Sequence, residues 1–202
     1  DRPIAGARRV SITVGSLPAV REFLRGEQFY RQGSHDSALA HYDQALSHAP
    51  AFPLALRRMY QAIAWGAPTS TRYRRWQEYR QMAVGSNRGL GPRDSLIFLA
   101  DSMRFATDTA SDPAAILRNQ RGALAVLEEA SRRYPDDVEI WYELGEAYFP
   151  DLPPIGTRAI PALKAFERAI AADPGYSAAY EHAITLAIQV GRRGIVGMWI
   201  WV

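Results

Sequence analysis

Apolar positions recur with a helical period over most of the chain, and three segments repeat one spacing. In "SALAHYDQALSHAP", Ala38, Tyr42 and Ala45 precede Pro50. In "GALAVLEEASRRYP", Ala123, Leu127 and Ala130 precede Pro135, and in "IPALKAFERAIAADP", Ala162, Phe166 and Ala169 precede Pro174. The offsets are four, three and five residues each time. The first two steps set three apolar side chains on one helical stripe. The alanines let a neighbouring helix come close, and the proline stops the helix and opens the next unit.

The pattern predicts nine helices, over 17–32, 35–48, 52–65, 70–84, 93–107, 113–133, 137–149, 159–172 and 175–190. Ser16 is the expected cap of the first helix, with Pro18 in its first turn; Asp112-Pro113 starts the sixth and Asp136 is placed to cap the seventh. The glycine-rich stretch 85–92, "GSNRGLGP", is a turn or short linker inside one array, because the stripes resume after it. Pro50 and Pro135 lie 85 residues apart, so the middle units need long loops or lengthened helices. Residues 9–14, "RVSITV", alternate and predict a half-buried strand. Residues 195–202 are β-prone and apolar on both faces, as a fully buried strand would be.

Two stripes have a recognisable preceding helix. Gly26 stands twelve residues before Ala38 in "REFLRGEQFYRQG"; Gly145 stands seventeen before Ala162 in "WYELGEAYF". The five extra residues are expected in the proline-rich "PDLPPIGTR" between those helices. Trp141, Leu144, Gly145 and Tyr148, followed by Ala162, Phe166, Ala169 and Pro174, resemble the tetratricopeptide repeat, a pair of antiparallel helices recurring about every 34 residues. Residues 19–50 match through Gly26, Phe29, Gly33, Ala38, Tyr42, Ala45 and Pro50, and depart at Glu22 and Arg25. The resemblance covers roughly 17–192, and it is weakest over 51–112. It implies an all-α fold, a right-handed α-solenoid of antiparallel helix hairpins, here with short terminal β-like segments. The expected organisation is an extended segment over 1–15, the repeat domain over 16–192 and an apolar strand-like tail over 193–202. The run from Ser16 to Leu46 also resembles the repeat regions attached to bacterial signalling proteins such as serine/threonine kinases, although no kinase motif is present.

Composition adds limits. The 202 residues are 48% hydrophobic and 22% charged, with no cysteine, which removes disulfides and thiolate metal sites. The net charge is +3, and Lys164 is the only lysine. An arginine- and alanine-rich balance of this kind reflects base composition more often than a nucleic-acid surface. No apolar run approaches the ~20 residues of a membrane-spanning helix. The first residue is Asp, which is consistent with a processed chain or a fragment; the location is cytoplasmic for an accessory signalling region and exported for a processed N-terminus.

No catalytic constellation emerges. There is no HExxH, Walker-type loop or GxSxG elbow. His41 and His48 lack a partner one helical turn away and read as surface histidines. Glu128, Glu129, Asp136, Asp137 and Glu139 surround a helix boundary, where the dipole favours acidic groups. In "TRYRRWQEYRQ" (71–81), arginines interleave with aromatics as in single-strand nucleic-acid binders. Helical spacing instead places Tyr73, Trp76, Tyr79 and Ala83 on one core-facing stripe. No enzyme, metal or cofactor is expected.

The resemblance places the first helix of each hairpin along a concave groove, with Phe23, Glu27, Tyr30, Met59, Ala62, Tyr142, Glu146 and Phe149 facing it. Some family members hold a partner's C-terminal carboxylate there with a Lys/Asn clamp. Phe23 and Glu27 occupy the clamp positions here, so an apolar protein segment with one or two basic residues is the expected ligand. The leading expectation is therefore a non-enzymatic scaffold binding a protein partner. The alternative is a structural subunit that self-assembles into a ring or filament. Its contacts would be the terminal apolar segments: Val10, Ile12 and Val14 at one end, and Ile195, Met198, Trp199, Ile200 and Trp201 at the other. The tail "GIVGMWIWV" (194–202) has the profile of an intermolecular strand. It can also be the first strand of a further domain, fold back on its own array, or, least favoured, touch a membrane.

Overall fold

The computed structural model describes residues 15–66, 69–86, 89–149 and 158–191. The strand expectations over 9–14 and 195–202, and the self-association residues within them, lie outside the described residues. Within these, nine α-helices follow one another: α1 Leu17–Arg31, α2 His35–His48, α3 Pro53–Ala64, α4 Ser70–Gly85, α5 Pro92–Thr109, α6 Pro113–Arg133, α7 Val138–Tyr148, α8 Ala159–Ala172 and α9 Ser177–Gln189. Each sequential pair α1/α2, α3/α4, α5/α6 and α7/α8 forms a hairpin, and successive hairpins stack. The lengthened middle unit is built from long helices, 18 residues in α5 and 21 in α6.

The helix ends follow their local chemistry. The Ser16 hydroxyl accepts from the amide of Ala19, and the Asp112 carboxylate accepts from the amides of Ala114 and Ala115. The cap of α7 is Asp137, not Asp136. Its carboxylate accepts from the amides of Glu139 and Ile140, because α7 begins one residue later than the spacing suggested. Gly33 turns the chain between α1 and α2 with a φ of 75°, which favours glycine.

All nine stripe residues are buried: Ala38, Tyr42 and Ala45 on α2, Ala123, Leu127 and Ala130 on α6, and Ala162, Phe166 and Ala169 on α8. Two hairpins close on the same contact. A Cβ added to Gly26 would stand 2.4 Å from Cε1 of Tyr42, and one added to Gly145 would stand 2.6 Å from Cε1 of Phe166. Both rings are fully enclosed, so neither can retreat. Gly145→Val should therefore cost about 1–3 kcal/mol through overpacking. Gly85, which has nothing within 4 Å, is the control. Urea denaturation of G145V and G85A checks this, and an unchanged midpoint for G145V would rule out the close approach.

Helix α4 departs from expectation. Its Trp76, Tyr79 and Ala83 face the array, but Tyr73 is 60% exposed and stacks on its own neighbour Trp76, with ring centroids 5.8 Å apart. Arg80 takes the inner position instead. Its guanidinium lies between the rings of Trp76 and Phe105, 4.8 and 5.3 Å from their centroids, and it pairs with Asp108. The stripe fails because an arginine between two aromatic faces buries as well as an aromatic would.

The array curves tightly enough to bring its ends together. Arg31 at the end of α1 pairs with Asp173 before α9, and the Tyr30 and Tyr176 rings meet at 6.3 Å. The inner helices α1, α3, α5, α7 and α9 thus surround a small interior.

Candidate functional site

The interior face is occupied largely by charge. Helix α3 is buried on almost every side, yet it carries Arg57 and Arg58. Arg57 donates to Asp101 of α5 at 2.6 Å, and to Glu139 and Glu143 of α7 at 2.6 and 2.7 Å. Arg58 donates to both oxygens of Glu27 on α1 at 2.6 and 3.0 Å, and lies 2.9 Å from Glu139. Its guanidinium also sits 4.8 Å from the centre of the Tyr30 ring. Arg93 of α5 completes the set, reaching Asp137, Glu139 and Asp94. One carboxylate, Glu139, therefore meets three guanidiniums.

Burial alone would discharge such groups. Here burial opposes the charge on Arg57, but Asp101 and Glu143 outweigh it and hold its pKa well above the usual value. The same balance, through Glu139 and Glu27, holds Arg58 high. Tyr60 donates to Asp101 at 2.8 Å and Tyr42 donates to Glu27 at 2.7 Å. Burial first, then those carboxylates, push both hydroxyls well above the usual tyrosine value. The expectation that Asp137 and Glu139 serve only the α7 dipole is corrected. Asp137 caps α7 and also pairs with Arg93, while Glu139 is buried in the network.

Above this network lies a cavity of about 470 Å³. Tyr30, Tyr60, Trp65, Trp76 and Tyr142 give it aromatic walls. Asp101, Glu143, Glu146 and Glu181 face it as acids, and Arg80 and Arg104 as bases. His182 lies on the wall, 3.2 Å from Glu146 and stacked on Phe166 at 5.3 Å. The Trp65 ring stacks on His35 at 5.2 Å and lies 5.5 Å from His182.

The structure distributes the sequence-derived groove residues over two depths. Tyr30, Tyr142 and Glu146 line the cavity, and half-buried Phe149 packs on His182 at 5.2 Å. Phe23 and Met59 are 1% exposed and Ala62 is fully buried, all three in the core and not on the cavity wall, and Glu27 is held by Arg58 and Tyr42. Sequence reading missed Arg57, Arg58, Asp101, Glu143, Trp65 and His182. A paired Arg-Arg inside the otherwise apolar "PLALRRMYQAIA" was the available signal. His41 is corrected as well: it is not a surface histidine. Its Nδ1 lies 2.9 Å from Glu22 and its ring stacks on Phe29. That contact, with Arg25, also accounts for the departures at Glu22 and Arg25, and it holds the Glu22 carboxyl below its usual pKa. His48 is exposed. Among the described residues, no cluster of three or more His, Asp or Glu could hold a metal, and no helix is long and apolar enough to cross a membrane.

Residues 117–151, spanning most of α6, its turn and α7, match the family model described as tetratricopeptide repeat. Among solved structures, TTC0263, a thermophilic tetratricopeptide-repeat protein of Thermus thermophilus, aligns with a TM-score of 0.53 at 20% identity, over 86% of this chain and 84% of that one. The fold is a tetratricopeptide-repeat solenoid. Two further structures align less closely. YrrB, described as a tetratricopeptide-repeat protein with an unusual peptide-binding site, gives a TM-score of 0.38 at 18% identity, over 87% and 79% of the chains. MamA from Desulfovibrio magneticus RS-1 gives 0.39 at 20% identity, over 92% of each. No curated protein matches the chain. A tetratricopeptide-repeat fold implies a protein–protein interaction scaffold, and such repeat proteins are generally non-enzymatic.

Proposed function

We propose that this tetratricopeptide-repeat chain binds a segment of a protein partner at the mouth of the 470 Å³ cavity. Tyr30, Tyr142 and Phe149 supply apolar contact and Glu146 supplies an orienting charge. Phe23, Met59 and Glu27 act from the core: the first two pack inside the array, and Glu27 holds the Arg58 guanidinium that sits against Tyr30. The observation that carries this reading is the aromatic lining of an open cavity whose size suits a bound ligand. Buried aromatic anchors surrounded by polar groups are the usual source of binding energy at protein interfaces.

Selection from a random-peptide display library tests it. Peptides recovered on the wild-type chain should lose about tenfold or more in affinity on Trp65→Ala or Phe149→Ala, a loss of about 1.4 kcal/mol. They should keep it on Asp43→Asn, a change on the outer helix α2. Peptides indifferent to the first two substitutions would place binding elsewhere.

A further inference from the structure

We propose that His35 is a positioning residue for the Trp65 wall of the cavity: its neutral ring holds the indole, and protonation of that ring releases it. The consequence for a partner, weaker binding in acid, rests on the reading above; the state of the wall does not. Trp65 is the C-cap of α3, past the last helical turn, and its indole is held by ring contacts. The flattest is with His35, whose ring lies 5.2 Å away with the planes within 5°. His182 of α9 touches the same indole at 5.5 Å, tilted by 49°. His35 also stands edge-on to Tyr30, another cavity residue, at 5.4 Å. The Gly33 turn just before it rests on α9, where an added Cβ would stand 3.1 Å from the Ser177 hydroxyl oxygen. His35 thus sits where α1, α3 and α9 meet, at the seam that Arg31 and Asp173 also bridge.

This position suits a neutral ring and not a charged one. His35 is the first residue of α2, where the helix dipole opposes a cation. Its Nδ1 is buried and has no hydrogen-bond partner among the described residues. A protonated ring must place an N–H there, and a buried donor without an acceptor is penalised. The charged groups around it divide. Arg72 of α4 opposes a proton on His35, while Asp36 of α2 and Glu181 of α9 favour one, as does the indole face. Burial is the largest influence, and the balance holds the pKa of His35 below its usual value. Once Trp65 is released, the ring regains an ordinary pKa near about 6.5. Below that value acid favours release, by up to about tenfold per pH unit, until the pKa of the held ring is reached.

The test follows the His35 and Trp65 rings by NMR in the whole 202-residue chain from about pH 8 to about pH 4.5. His35 should titrate below about 6.5, and the cross-peaks between the two rings should vanish through the same midpoint. His48→Gln, a change at the exposed far end of α2, should leave this behaviour as it is. A peptide from the display selection should bind the wild type about threefold or more weakly at about pH 5.5 than at about pH 7.5. His35→Phe keeps a flat ring that cannot take a proton, so it should retain the affinity and lose the pH dependence. His35→Ala should bind more weakly at both pH values. Ring cross-peaks that survive in acid, a His35 midpoint above about 6.5, or a His35→Phe chain as acid-sensitive as the wild type would each overturn the inference. Should the selected peptides ignore Trp65→Ala, the binding reading fails, and the ring cross-peaks still decide what His35 does.

Discussion

Arg57→Met will lower the stability of the chain by about 3–5 kcal/mol, because it strips the cation from three buried acceptors at once. Arg57 is 2% exposed, and Asp101, Glu139 and Glu143 all receive hydrogen bonds from it. Methionine fills much of the same volume, so the loss reports stranded charge more than a cavity. At this chain length the melting temperature should fall on the order of 10 °C. Arg57→Lys should recover only part of the loss, since one ammonium cannot reproduce a fork that reaches two different helices. Adding Glu143→Gln to Arg57→Met should restore some stability, giving a coupling energy measurable in a double-mutant cycle. Arg118 offers the contrast: its pair with Asp112 is 3.7 Å long and largely exposed. Arg118→Ala should change stability by less than about 1 kcal/mol. An Arg57→Met protein that melts with the wild type would mean that the network does not hold the inner helices together.

The second large effect is alkaline unfolding. Tyr30, Tyr42, Tyr60, Tyr142 and Tyr176 are all buried within the array. Burial is the leading cause that raises each hydroxyl above the ordinary tyrosine value, in Tyr30 to about 12 against the opposing pull of Arg58. The sign follows from linkage. A group whose folded pKa is raised contributes stability that is fully present below its unfolded pKa. That stability is lost as pH climbs toward the folded pKa, because the unfolded chain releases its protons first. Each tyrosine removes about 1.4 kcal/mol per pH unit above about 10, and five together about 7. The chain should therefore unfold cooperatively between about pH 10 and 12, and the tyrosinate absorbance near 295 nm should rise with the loss of helical circular dichroism. Smooth ionisation of all ten tyrosines near pH 10 with the helices intact would contradict the burial of these five.

The array was legible in the sequence, and the inner charge was not, for one physical reason. The stripes Ala38/Tyr42/Ala45 and Ala162/Phe166/Ala169 are local: each lies on a single helix, where a period of about 3.6 reveals the buried face. Gly26 and Gly145 were legible for the same reason, since each meets an aromatic on the very next helix. The Arg57 network is assembled from partners 44, 82 and 86 residues away. No spacing within α3 or α7 announces such pairs. A buried arginine also looks, by residue type, like a surface one. That ambiguity misplaced Tyr73 relative to Arg80, and it let Glu139 pass as a dipole partner of its own helix. His41 was misread for the converse reason: its acid, Glu22, sits on the preceding helix and not one turn along its own.

Charge also explains why the concave side is compact. In a solenoid the first helices could leave a long open groove. Here Arg58 ties α1 to α3 and α7, Arg57 ties α3 to α5 and α7, and Arg31 joins α1 to the turn before α9. Among the described residues, open space remains in the aromatic and acidic cavity beside Trp65 and His182. Network and cavity thus share residues: Tyr30 and Glu143 face the network on one side and the cavity on the other.

Whether the cavity is the binding site can be read from a chemical-shift map of the full chain with a peptide selected from the display library. The perturbed residues should cluster around Tyr30, Trp65, Trp76, Tyr142 and His182, with α2, α6 and α8 silent on their outer faces. A map centred on those outer faces, with the Trp65 and Trp76 indoles unmoved, would contradict binding at the cavity.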